Sequence, residues 1–415
     1  MRIALVGPAH PYKGGGARHT TELAHRLAAA GHDVIIESWR AQYPRRLYPG
    51  QQLLDVPEGE PYPRAYRRLA WYRPDGWFAA GRRLRSADLV VFALLTPLQI
   101  PAYLTILAGL RTPGPSRRPS PKRHPRTMVI CHNVLPHERR PGDIALTRTL
   151  LARVDTVLTH SPAQAAQARD LAPRTAVVTV PLPPHLPTTH NPERASFSSP
   201  GDPYRPAETR APARPAPGDP YRPAETRAPA SPAPGDPHPG PPPSTIRLLF
   251  FGIVRPYKGL DVLLHALARA PEHLTLTVAG EFWGGTAETE ALIAELGLAG
   301  RVTLRPGYLP ATEIPALFAA ADALVLPYRE ATASQNALLA FTHGVPVITT
   351  AAGSLADVVR DGVDGLTCAP GDADDLARAL AAISEPGTLE ALRAGIKVVD
   401  PEPGWAAYLQ ALTAS

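Results

Sequence analysis

The chain has 415 residues, 44% of them apolar, and carries 43 lysines and arginines against 37 aspartates and glutamates. That length and apolar share supply two buried cores rather than one. The net charge of +6 admits phosphate-bearing ligands, an anionic membrane surface or nucleic acid, and selects none of them. Only Cys131 and Cys368 are present, far apart, which excludes a disulfide framework and a thiolate metal cluster and fits a reducing cytoplasm. No run reaches the roughly 18 uninterrupted apolar residues of a membrane-spanning helix.

In chain order, Ile3 to Val6 is too short and too soon interrupted for a signal peptide and reads as a first core strand. Lys13-Gly14-Gly15-Gly16 then precedes a helix with Leu23, Ala24, Leu27 and Ala28 on one face. Gly31 ends that helix, and Val34 to Ile36 is the next strand. From Arg64 to Arg85 seven arginines interleave with Tyr66, Trp71, Tyr72, Trp77 and Phe78, the composition of a membrane-interface segment. Pro74 and Gly76 interrupt it, so helices packed on a sheet with solvated arginines are the competing expectation. Strands follow at Leu89 to Phe92, Met128 to Cys131, Thr156 to Leu158 and Ala176 to Val180. Arg111 to Arg126 carries six cations and no acid in a Pro-rich loop.

The 51 prolines crowd between Pro181 and Pro243, where a 13-residue stretch starting at Gly201 recurs unchanged at Gly218. Prolines deny that span backbone donors and aliphatic residues are nearly absent, so a disordered linker is predicted over 186–245. Beyond it, strands are predicted at Arg247 to Phe251, Leu274 to Ala279, Val302 to Arg305, Ala323 to Leu326 and Pro346 to Thr349, alternating with helices. The alternation on both sides predicts an α/β chain of two Rossmann-like domains, 1–185 and 246–399. Trp405, Tyr408, Leu409 and Leu412 at helical spacing predict a final helix over 400–415 that packs back across the cleft.

Two segments carry chemistry. Gly14, Gly15 and Gly16 lie at a helix mouth, where bare backbone and unpaired N–H groups suit a phosphate or a sugar hydroxyl. Phe251-Gly252-Ile253-Val254-Arg255-Pro256-Tyr257-Lys258-Gly259-Leu260 repeats the strand, loop and helix arrangement with two cations. Arg255 and Lys258 there suit a diphosphate, bound and departing.

With those segments, Gly31-His32-Asp33-Val34, Ala321-Asp322-Ala323-Leu324-Val325-Leu326-Pro327 and Arg360-Asp361-Gly362-Val363-Asp364-Gly365-Leu366, the chain resembles the group 1 family of retaining glycosyltransferases with the GT-B fold. The resemblance covers both globular parts. It implies two domains facing across a cleft, an acceptor-side N-terminal domain and a nucleotide-sugar C-terminal domain. The implied reaction is hexosyl transfer from a nucleotide diphosphate sugar, with retained configuration and no required metal or other cofactor. By the same resemblance Arg255 and Lys258 bind the diphosphate, His132 in Cys131-His132-Asn133-Val134-Leu135-Pro136-His137-Glu138 faces the donor sugar, and Glu330 reaches the donor sugar. Thr332 and Ser334, at the following helix start, offer further donors. His137 and His160 are further histidines, although His160-Ser161-Pro162 also reads as a helix start.

The family's second glutamate, which holds the ribose hydroxyls, is missing: its place falls on Leu338 or Leu339. This leaves donor nucleotide and sugar open, with polysaccharide, lipid-linked and small-molecule acceptors all allowed. The expected location is the cytoplasm, with peripheral contact at the inner face of the membrane. The rival readings are a nucleotide-sugar-binding protein without transfer activity and a nucleic-acid-binding protein using Arg111 to Arg126. The latter lacks interleaved aromatics or a recognised module, so no nucleic-acid partner is expected.

Overall fold

The computed structural model describes residues 1–44, 52–54, 59–112, 124–136, 140–185, 245–331, 335–353 and 355–414. The linker span 186–244 and the duplicated stretch lie outside these residues.

The first half opens with β1 (Arg2–Val6), α1 (Gly15–Ala29), β2 (Asp33–Ala41), β3 (Ala65–Ala70) and α2 (Pro74–Arg83). It continues through β4 (Leu89–Leu94), α3 (Ile100–Arg111), β5 (Arg126–Cys131) and α4 (Asp143–Leu151). It closes with β6 (Thr156–Thr159), α5 (Pro162–Leu171) and β7 (Ala176–Thr179). The second half runs β8 (Ile246–Phe251), α6 (Leu260–Arg269), β9 (Leu274–Gly280), α7 (Ala287–Glu295), β10 (Val302–Pro306) and α8 (Ile314–Ala319). Then come β11 (Ala323–Leu326), α9 (Gln335–Thr342), β12 (Val347–Thr350), α10 (Leu355–Val358) and β13 (Gly365–Cys368). The last helices are α11 (Ala373–Ala382), α12 (Thr388–Gly395) and α13 (Pro401–Ala414).

Among the described residues the strands form two parallel sheets, ordered β3-β2-β1-β4-β5-β6-β7 and β10-β9-β8-β11-β12-β13. The central strands are buried on both faces, which is why β1, β4, β5 and β11 read as nearly continuous apolar runs, while β3, β7 and β10 at the sheet edges are partly exposed. In β1, Ala4 and Val6 enter one core, with Tyr103 and Ile106 of α3, while Ile3 and Leu5 enter the other, with Leu23 and Leu27 of α1. In β8, Leu248 and Phe250 face Leu263 and Leu267 of α6, and Leu249 faces Phe318 and Phe341.

The final helix α13 sends Trp405, Tyr408 and Leu412 into the first half's core, beside Leu23 and Leu27. Arg26 fixes it from α1, donating to Glu402 at 2.8 and 2.9 Å and lying over the Trp405 ring at 4.7 Å.

The Arg64–Arg85 segment folds as a strand and a helix. Pro74 takes the first helical turn of α2, where its missing N–H costs nothing. Its arginines mostly meet carboxylates: Arg64 with Asp33, Arg68 and Arg83 with the buried Glu37, and Arg73 with Asp75. Two motifs turn out to be structural. Asp322 accepts from Arg247 and Arg393, tying β8 and α12 to the start of β11, and Arg360 pairs with the buried Asp364 in the turn into β13.

Candidate active site

The loop between β8 and α6 is forced into shape by its last residue. Gly259 has φ +67°, and a β-carbon there would run into the carbonyl oxygen of Pro327, at the end of β11. Only glycine allows both the left-handed backbone and that approach. Upstream, Pro256–Lys258 forms a short 3₁₀ turn, and Arg329 braces it by donating to the Pro256 carbonyl (2.8 Å) and to both oxygens of Asp261 (2.8 and 2.6 Å). Burial alone would raise the Asp261 carboxyl, but the Arg329 hydrogen bonds and charge more than offset it and hold it below its usual range.

This loop presents two cations. Arg255 lies over the Trp283 ring, 4.3 Å from its centroid, and the Lys258 ammonium sits 4.9 Å from the centroid of the Tyr328 ring. Burial would lower the Lys258 pKa. Its interactions with Tyr328 and Tyr257 outweigh that and raise it. Asn336, in the first turn of α9, donates to the Phe251 carbonyl at 2.9 Å and fixes the strand end beside Lys258.

Arg255 and Lys258 open into a cleft of about 460 Å³ that both halves line. Ile253, Tyr257 and Trp283 complete the second half's wall, while Tyr12, Lys13, Gly14, Gly16, Gln42, Asn133 and Arg140 are among those lining the first half's. A smaller cavity of about 210 Å³, bounded by Leu248, Arg305 and Leu317, includes none of the predicted site residues.

The three glycines differ. At Gly14 and Gly15 a β-carbon would meet nothing within 4 Å, so bare backbone faces open space there. At Gly16 a β-carbon would meet the Leu95 side chain at 2.5 Å, so this glycine makes room for packing. Lys13, just before them, is anchored by its N–H to the Gln52 carbonyl (3.0 Å). It sends its side chain across the cleft to the Glu281 carboxylate, at 2.8 Å, and over the Tyr308 ring, at 4.3 Å.

His132 is not among the residues lining the cleft. Its ring lies edge-on to His19 at 5.0 Å and 5.4 Å from His160, and its Nε2 is buried without a hydrogen-bond partner. His19 is the hub: Nδ1 shares a hydrogen bond with His185 Nε2 (3.0 Å), and Nε2 shares one with the Tyr408 hydroxyl (3.1 Å). Burial lowers all four imidazoles, to about 4 at His160 and about 3 at His185, so they are neutral at pH 7. The turn after His160 is the helix start its sequence suggests, with Ser161 accepting from Gln164 N–H. Nevertheless the cluster borders the second half, because the His185 N–H donates to Gln335, the first residue of α9 (3.1 Å).

Glu330 is exposed, just past β11 and the buried Tyr328. Thr332, Ser334 and His137 lie outside the described residues. Leu339 packs partly into the second half's core, and Leu338 is half-buried. Among the described residues no three His, Cys, Asp or Glu side chains are arranged to hold a metal ion. Burial pushes both thiols, Cys131 and Cys368, up to about 12, which leaves them unreactive.

Residues 245–385 match the family described as "Glycosyl transferases group 1", and residues 13–183 match "Glycosyltransferase Family 4". The chain is 36% identical over 162 residues to a D-inositol 3-phosphate glycosyltransferase of Rhodococcus jostii, covering 37% of this chain and 36% of that one. It is 34% identical over 180 residues to the Streptomyces bingchenggensis protein of the same name, over 40% and 39% of the two chains. The matches thus span little more than a third of these relatives' length. Among solved structures, Anabaena HepE in complex with UDP and glucose superposes over 100% of both chains with a TM-score of 0.66 at 14% identity. Sucrose-phosphate synthase from Thermosynechococcus elongatus does so with 0.64 at 18%. These likenesses establish the arrangement of two Rossmann-like halves. No helix among the described residues is long and apolar enough to cross a membrane.

Proposed function

The chain belongs to the group 1 glycosyltransferases, and on that premise we propose that it transfers a sugar from a nucleotide diphosphate donor to an acceptor bound on the first half's side of the cleft. The observation that carries this reading is the placing of Arg255 and Lys258, both on one braced loop, in a cleft whose opposite wall holds Gly14 and Gly16.

In this reading the donor diphosphate lies on Arg255 and Lys258 with the bare backbone of Gly14 and Gly15 opposite. As the bond to the sugar breaks, charge develops on the leaving oxygen, and preorganised cations stabilise it without reorganisation. Transfer is front-face and retaining: the departing diphosphate oxygen takes the acceptor hydroxyl's proton. Glu330 and His132 attend the sugar, with Thr332 and Ser334 as further donors. The His132 Nε2, neutral and without a hydrogen-bond partner among His19 and His160, is the ring atom that would face the sugar, although it is buried rather than displayed in the cleft. The two cations supply the charge that a divalent metal supplies elsewhere, so the reaction proceeds in the presence of a chelator.

The acceptor class follows the relatives only as far as their name: a small polyol phosphate is the first to try, with polysaccharide and lipid-linked acceptors beside it. The test is a panel of UDP-, GDP- and ADP-sugars, screened by thermal shift and then by release of the nucleoside diphosphate. Absence of binding and of release across the panel overturns the proposal.

Peripheral contact with the inner face of a membrane is the second reading. Trp71 and Tyr72 are 43% and 50% exposed at the end of edge strand β3, with Tyr66 nearby under Arg68 (4.1 Å). Cosedimentation with anionic vesicles in low salt, reversed by salt, is the expected result, and equal recovery with neutral vesicles removes it.

A further inference from the structure

We propose that Glu281 is the carboxylate that receives the donor's ribose hydroxyls, in place of the glutamate missing at Leu338 and Leu339. This deepens the proposed function and rests on it. In a nucleotide-binding β-α-β unit the first turn cradles phosphates, and an acid just beyond the second strand takes the ribose diol. Here the unit is β8, α6 and β9. Its first turn carries Arg255 and Lys258, and the residue immediately after β9 is Glu281.

The two ends of that unit are bonded together. The Val254 N–H donates to the Glu281 carbonyl at 2.8 Å, and the Gly252 N–H donates to the Ala279 carbonyl at 2.9 Å. Gly280 lies so close to Gly252 that a β-carbon on it would strike the Gly252 carbonyl oxygen. Glu281 is therefore fixed beside the diphosphate loop, and Trp283, two residues on, already lines the cleft under Arg255.

Its carboxylate is suited to a diol. The side chain is 18% exposed, and the Lys13 ammonium holds Oε1 at 2.8 Å, while among the described residues Oε2 has no hydrogen-bond partner. Lys13, which itself lines the cleft, takes one carboxylate oxygen and leaves the other open. A ribose bound there donates to an anionic acceptor, the stronger class of hydrogen bond. Because Lys13 comes from the opposite half, a bound ribose also rests against the point where the halves meet.

Calorimetry on the full chain tests this with UDP, GDP and ADP and their 2′-deoxy and 3′-deoxy counterparts. The wild type binds one of the ribonucleotides at least about tenfold more tightly than its deoxy forms. Glu281→Gln brings the ribonucleotide down to the deoxy level and leaves the deoxy affinities within about twofold, while Lys13→Met retains the discrimination. Binding without discrimination in the wild type overturns the assignment of Glu281 and leaves the proposed function standing. So does an equal loss for ribo and deoxy forms in Glu281→Gln, which would make the residue a brace between the halves. Failure of all three ribonucleotides to bind the wild type overturns both.

Discussion

Gly259 and Pro327 touch backbone to backbone: the start of α6 rests on the carbonyl at the end of β11, with no room for a side chain between them. The loop between β8 and α6, with Arg255 and Lys258, is held by that contact. Gly259→Ala imposes a left-handed backbone on alanine and a collision with a rigid carbonyl, at a cost of about 2 to 4 kcal/mol. Urea denaturation measures the loss. Activity of the folded fraction falls as well, since Arg255 and Lys258 leave their positions.

Arg255→Ala and Lys258→Ala should each lower turnover by about a hundredfold or more, the range for removing one preorganised group that stabilises developing charge. Melting temperature should move little by comparison, because both side chains face the cleft rather than a core. Steady-state kinetics beside thermal melts decide it. Wild-type turnover in both variants removes the loop from the chemistry.

Glu330→Gln separates chemistry from folding more cleanly, because the residue is exposed. Stability should stay within about 0.5 kcal/mol of wild type. Transfer should fall at least about tenfold if the carboxylate meets the donor sugar, and unchanged rates place the sugar elsewhere.

The histidine cluster gives a pH dependence with a definite sign. Imidazoles lowered by burial bind fewer protons folded than unfolded, so stability is fully present above about pH 6.5 and declines as pH falls toward the folded values. For His160, lowered from 6.5 to about 4, the loss across that window is on the order of 3 kcal/mol, and His185, lowered to about 3, extends it further. Denaturation at pH 7.5 and pH 5 should show the slope, and His160→Asn should flatten it.

The sequence told most where backbone and pattern decide together. The strands from β4 to β12 lie close to their predicted positions, the central ones, β4, β5 and β11, because strands covered on both faces need nearly uninterrupted apolar runs. β3 was not anticipated. Its Arg67 and Arg68 break the pattern, and it exists as an edge strand because Arg68 and Arg83 meet across the buried Glu37. β13, which begins inside a recognised motif, was not anticipated, because Gly365 and Thr367 interrupt its apolar pattern. In the site, the Arg255 to Gly259 loop was legible from spacing and one obligatory glycine. The parts played by Lys13, Arg329 and Asn336 were not, because each acts on a residue dozens or hundreds of positions away. His132 could be chosen by its motif, but its burial among His19, His160 and His185 depends on four separate segments meeting.

The packing of α13 into the first half's core also sets an order of assembly. Trp405, Tyr408 and Leu412 follow the whole second half in the chain, yet they cover Leu23 and Leu27, which precede it. The first half therefore cannot finish folding as it is synthesised. It must wait, with one apolar face open, through translation of the whole second half, and a fragment ending at residue 185 would keep that face exposed. Until residues 405–412 are made, that apolar face stays uncovered and open to aggregation.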